Sequence, residues 1–167
     1  MIKPLFQKAV VAVNGSEQSL HAAMYGIMMA SQYKIELEAV YVVDSATIKQ
    51  LEMSKIFFAE EANHYVESLK KDGEKYLNYV ENLALQKKVH ISKKLCSGAV
   101  WSEVLKAADE FGADLILLGG KEHGAAPMSS VIHHDKASAI NSEIIGSATC
   151  NVLVVRKPEI DKLFKLA

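Results

Sequence analysis

Short runs of uninterrupted apolar residues alternate along this chain with longer stretches whose apolar positions recur every three or four residues. The first run is Ala9-Val10-Val11-Ala12-Val13, ending at Asn14-Gly15-Ser16. A run apolar throughout predicts a strand buried on both faces. Over residues 17–32, Leu20, Met24, Ile27, Met28 and Ser31 share one face, which predicts an amphipathic helix with Ser16 as its N-cap. A second buried strand is expected over residues 35–43. Residues 44–88 read as helical. Ala62, Tyr65, Leu69, Gly73, Tyr76, Val80 and Leu83 place a long helix from about Glu60 onward. Gly73 inside it marks close packing or a bend. One or two additional helical turns are expected within residues 45–59, where Phe57 and Phe58 would need cover.

Residues 89–95 read as a weaker strand, with Lys93 and Lys94 marking it as an edge. A helix from Gly98 through Val100, Trp101, Val104, Leu105, Ala108 and Phe111 stops at Gly112. Leu115-Ile116-Leu117-Leu118 is the plainest buried strand, and it ends at Gly119-Gly120. A last helix carries Ala137, Ile140, Ile144 and Ile145, with Gly146 expected to terminate it. The final strand is Val152-Leu153-Val154-Val155, and a charged tail with Pro158 is expected to trail off. This alternation predicts an α/β fold: a five-stranded, doubly wound parallel sheet in the order 3-2-1-4-5, with helices on both faces and right-handed crossovers. No repeat or linker divides residues 1–167, so one domain is expected.

Composition narrows the function classes. Nineteen Lys and Arg against 20 Asp and Glu leave a net charge of −1, so nothing favours gripping a nucleic-acid backbone. No apolar stretch approaches the ~20 residues that cross a bilayer, and the opening residues lack a signal-peptide pattern. Cys96 and Cys150 are too few for a disulfide framework or zinc site and fit a reducing compartment. A cytoplasmic protein is expected. His133-His134-Asp135 has no ligand partners at metal spacing and reads as a solvated loop. His123 beside Glu122 lacks the nucleophile and orienter a catalytic set needs. Trp101 and the Met24, Met28, Met29 group read as core or helix-face packing.

In a doubly wound sheet, ligands bind beyond the carboxyl ends of the strands, where the strand order reverses. Asn14-Gly15-Ser16 and Gly119-Gly120 stand at two such ends. The glycines read first as ordinary turns. They also let backbone N–H groups approach phosphate, with a helix N-terminus behind.

Several segments resemble one family in order. Val11-Ala12-Val13-Asn14-Gly15-Ser16-Glu17 is similar to the opening strand and turn of the universal stress protein family, usually V-D-G-S-E. Tyr41-Val42-Val43-Asp44 resembles the end of its second strand. The segment from Ala113 to Gly120 resembles its fourth strand, and that from Ala148 to Val155 its last. The resemblance runs from about Lys8 to Arg156. It implies a five-stranded parallel sheet, usually a homodimer, in a family divided between ATP binders and non-binders. Binders carry G-x-x-G, nine residues, then G-S or G-T after strand four. Carried over, the acidic residue after strand one becomes Asn14, the adenine-facing backbone Val42, and the first glycine Gly119. The second glycine falls on Glu122, and the Gly-Ser step on Ser138-Ala139, across a lengthened connection. Gly146-Ser147 lies too close to Val152 to serve.

The candidate crevice is therefore Val13, Asn14, Val42, Leu118, Gly119, Gly120, Glu122 and Ser138, with an adenine nucleotide such as ATP as the implied ligand and no metal. Glu122 opposes phosphate, so ATP is expected to bind weakly or not at all. The expected function is that of a regulatory or binding protein with a degenerate crevice. The alternatives are an ATP-hydrolysing switch, with residues 121–136 folding over phosphate, and a partner-binding module with a vestigial crevice. Val152, Leu153, Val154 and Val155, apolar at the other sheet edge, are expected to pair two subunits.

Overall fold

A computed structural model of the chain describes residues 2–121 and 136–167, with side chains of the second segment described from Ser138. The elements run β1 (Lys8–Val13), α1 (Glu17–Tyr33), β2 (Glu36–Val43), α2 (Ser45–Met53), α3 (Ala59–Gln86), β3 (Ser92–Ser97), α4 (Val100–Phe111), β4 (Leu115–Gly119), α5 (Lys136–Ser147), β5 (Asn151–Val155) and α6 (Ile160–Leu166). The strands form one five-stranded parallel sheet in the order β3-β2-β1-β4-β5. The apolar runs explain the order. β1, β2 and β4 are buried on both sides of the sheet and take its centre, whereas β3 carries Lys93 and Lys94 and takes an edge. Lys93 bridges to Glu81 of α3 at 3.1 Å. Lys94 pairs with Glu110 of α4, which raises the ammonium's pKa and lowers the carboxyl's.

Alternate residues of each strand feed two separate cores. Val11, Val13, Leu37, Ala39, Tyr41, Leu115 and Leu117 pack against α1 and α3, while Val10, Val40, Val42, Ile116 and Leu118 pack against α4 and α5. At Gly73, α3 lies close against the sheet. A Cβ there would sit 2.7 Å from Cδ1 of Tyr41 and 2.8 Å from Cδ1 of Leu95. The helix glycine therefore marks close packing.

Several expectations change. The third strand begins at Ser92, not Val89. Lys88 is left-handed (φ 59°), its N–H bonds the Leu85 carbonyl, and Val89 N–H bonds Ala84. That is a Schellman closure of α3, so Val89 is apolar because it plugs a helix end. Gly146 does not stop α5, which runs on to Ser147. Of the two placements expected for Trp101, core or helix face, it takes the helix face, 39% exposed on α4. Phe57 is covered by Tyr65, with ring centroids 6.1 Å apart, but Phe58 remains 77% exposed. The tail does not trail off. It turns back as α6 and buries Ile160 and Phe164 in the α1–α3 core.

Candidate functional site

β1 and β4 pair only as far as Val11 and Leu117. Beyond those residues the two strands diverge. β2 continues two residues past its last β1 pair, Val13 with Tyr41. The gap at the carboxyl ends opens a cavity of about 200 Å³ at the point where the strand order reverses. Its floor is Val13, Val40, Val42, Leu118 and Gly119. Val100 and Val104 of α4 and Ile140 and Ile144 of α5 form its apolar walls, and Asn14, Ser16, Gln18, Lys121, Ser138 and Asn141 supply the polar rim.

The turn after β1 is tightly specified. Asn14 Oδ1 accepts from Ser16 N–H at 2.9 Å, an Asx turn that sets the next two residues. Ser16 Oγ caps α1 by accepting from Ser19 N–H at 3.1 Å, and the buried Ser19 hydroxyl accepts from Asn14 N–H. Gly15 sits at φ 86°, where other residues are strained. Tyr76, reaching over from α3, donates its hydroxyl to the Gly15 carbonyl at 2.8 Å. On the opposite side, Asn141 Nδ2 donates to the Gly119 carbonyl at 2.9 Å and ties α5 to the end of β4.

Six of the expected residues meet in this cavity: Val13, Asn14, Val42, Leu118, Gly119 and Ser138. Gly120 does not. Its N–H bonds the Val155 carbonyl, and a Cβ there would lie 2.6 Å from Val154, so it packs toward β5. Glu122 lies outside the described residues, as do His123, His133, His134 and Asp135. Sequence reasoning missed Asn141 and the four apolar wall residues. The three-and-four spacing of Val100/Val104 and Ile140/Ile144 marked a buried helix face but not that a cavity lay against it. The carbonyl oxygen of Asn14 is spent on its own turn, leaving that side chain its amide donors for a ligand. Among the described residues the lining holds no carboxylate, histidine or cysteine, and no group of side chains could hold a metal ion. Burial raises the Cys96 and Cys150 thiols, which keeps both protonated and unreactive at neutral pH. The geometry suits a flat, largely apolar ring with hydrogen-bonding edges.

The Tyr76 brace makes the turn sensitive to alkali. Burial, and then the neighbouring Tyr79, raise its phenol above the usual tyrosine value. A group whose pKa rises on folding contributes stability that is complete below the unfolded value, near pH 10, and is lost as pH climbs through the folded value. Tyr76→Phe is expected to cost about 0.5–1 kcal/mol at neutral pH. It should also flatten the alkaline loss without abolishing it, because burial raises Tyr41 as well. Urea melts of both proteins at about pH 8 and about pH 11 test this; equal losses in the two would refute it.

The universal stress protein family's sequence profile matches residues 5–156. A universal stress protein of Methanocaldococcus jannaschii is 30% identical over 156 residues, covering 93% of this chain and 85% of that protein. Among solved structures, a universal stress family protein from Burkholderia pseudomallei superposes with a TM-score of 0.71 at 20% identity, covering 93% of this chain and all of the other. An Arabidopsis thaliana family protein with AMP bound gives 0.61 at 14% identity, covering 93% and 94%. A universal stress protein in complex with cAMP gives 0.60 at 18% identity, covering 90% and 97%. A profile spanning the whole sheet, a relative matched along almost the whole chain and a shared strand order lead to one conclusion: the chain belongs to the universal stress protein family.

Proposed function

We propose that this protein is a cytoplasmic regulatory binding protein whose crevice takes the adenosine part of an adenine nucleotide and accepts ATP poorly. The observation that carries the reading is the slot itself, which is apolar on both helical walls and polar only at its rim. An adenine ring buries its faces against such walls while its edge nitrogens meet backbone and amide groups. AMP and cAMP, the ligands of the two related structures, carry one phosphate each, which supports a site that does not depend on a triphosphate cradle. The sequence weighs against such a cradle. Glu122 stands where the family's second phosphate-facing glycine falls, and Ser138-Ala139 replaces Gly-Ser. Two like charges ~4 Å apart repel by about 4 kcal/mol at an effective dielectric near 20, less where water screens them.

Calorimetry with ATP, AMP and adenosine decides the matter. Adenosine is expected to bind at least as tightly as ATP, and Glu122→Gly to strengthen ATP about tenfold, or 1.4 kcal/mol. Tight ATP binding that Glu122→Gly leaves unchanged or weakens would overturn the proposal.

The same reading includes a homodimer. Among the described residues β5 pairs only with β4, and Val152 and Val154 on one face of the sheet and Leu153 on the other are half-buried, an apolar edge strand of the kind that recruits another strand. Two copies pairing β5 antiparallel about a two-fold axis satisfy both edges. Sedimentation should show a dimer, and Val154→Pro, which removes a ladder N–H, should shift it to monomer. A native monomer at all concentrations, or an intact Val154→Pro dimer, would disprove this mode of pairing.

A further inference from the structure

A second cavity lies on the opposite side of the sheet, between α1 and α6, and encloses about 540 Å³. Its volume falls within the range of about 300–1,000 Å³ typical of small-molecule sites. Phe6, Met28, Met29, Ile160 and Leu163 line it with apolar surface. Methionines adapt to irregular apolar guests, so the wall can close around a flexible chain. The family profile ends at Arg156, whereas Lys157, Ile160 and Leu163 form one side of the cavity. That wall is therefore supplied by residues outside the matched family segment.

The polar groups of the cavity point to the ligand's charge. Among the described residues, Lys157 is the one charged residue in the lining. Among the described residues it forms no ion pair, and the neighbouring Glu159 is committed to Lys162 at 2.7 Å. Tyr25 and Gln32 also line the cavity, and among the described residues their side chains make no hydrogen bonds. Unspent donors beside an apolar cavity fit a guest with an apolar body and one anionic end.

We infer that the α1–α6 cavity binds a small anionic amphiphile, a carboxylate on an apolar chain, with the chain against Met28, Met29 and Leu163 and the carboxylate at Lys157. The site is separate from the crevice between β1 and β4 and does not depend on it.

The test uses the full chain with methyl-labelled methionine, titrated by NMR with decanoate and, separately, with decyltrimethylammonium, which carries a similar chain and the opposite charge. Decanoate is expected to shift the Met28 and Met29 methyls saturably while Met53, exposed on α2, stays in place. The cation should bind several-fold more weakly. Lys157→Gln, at an exposed position that leaves the core intact, should weaken decanoate about two- to fivefold, the size of an exposed ion pair, and leave the cation unaffected. Non-saturating shifts, equal affinity for the two probes, or decanoate binding indifferent to Lys157→Gln would each overturn the inference. So would Met28 and Met29 signals that move with protein concentration alone, because a second copy would then occupy the cavity.

Discussion

Gly119→Ala is expected to destabilise the protein by about 2–3 kcal/mol, lowering Tm by roughly 5–10 °C, and to abolish ligand binding in the crevice. The added Cβ would lie 2.4 Å from the Gln18 carbonyl oxygen and 2.8 Å from the Ser19 nitrogen. Both are backbone atoms of the first turn of α1 and cannot swing aside as a side chain would. Either β4 or the α1 N-terminus must move, and the Ser16–Ser19 cap and the cavity floor move with it. Gly119 is not in the left-handed region, so the whole effect is one of space and not of backbone strain. Gly146→Ala is the matched control. Nothing lies within 4 Å of its added Cβ, and its place in α5 makes alanine the better helix former by up to about 1 kcal/mol. Thermal melts of the two variants should therefore move in opposite directions; a Gly119→Ala protein as stable as the native one would refute the close approach.

Phe164→Ala carries the second large effect, about 3 kcal/mol. Phe164 is 3% exposed at the centre of α6, and the Lys87 ammonium sits 4.8 Å from its ring centroid. A helix of seven residues has almost no stability of its own, so its docking depends on Ile160 and Phe164. Removing the ring is expected to release α6 as a unit while the sheet stays folded, which limits the loss to the energy of that docking. Hydrogen exchange distinguishes this from global weakening. Amides of α6 should lose protection in Phe164→Ala, and those of β1 and β4 should keep it. The α1–α6 cavity would lose a wall, so decanoate binding should disappear with α6. Uniform loss of protection across the sheet would mean that α6 is integral to the fold and not an appended cover.

The sheet was legible in the sequence because burial on both faces leaves a mark that needs no knowledge of partners. Ala9–Val13 and Leu115–Leu118 are apolar at every position, as a strand covered on both faces by helices requires, and the lysines of β3 are tolerable only at an edge. Ser16 was legible as a cap because an N-terminal serine satisfies a local backbone donor, and its bond to Ser19 spans three residues. Gly73 was legible as close packing or a bend, because a glycine in a long helix otherwise only weakens it, and the contacts with Tyr41 and Leu95 chose the first.

Tertiary structure decided what depends on who meets whom. Val89 and Ile160 are apolar in the same way as strand or loop residues, and only the closing of α3 and the back-packing of α6 assign them. The crevice exists because β1 and β4 part after Val11 and Leu117 while α4 and α5 bring valines and isoleucines against the gap. Asn141 reaches the Gly119 carbonyl across 22 positions of sequence, and Tyr76 reaches Gly15 across 61. Gly119 and Gly120 are identical in residue type, yet one ends β4 at the cavity and the other, just past the strand, turns to β5, where its N–H bonds the Val155 carbonyl. Periodicity records which positions are withdrawn from water. It carries no information about the group on the other side, and a binding site is made of those pairings.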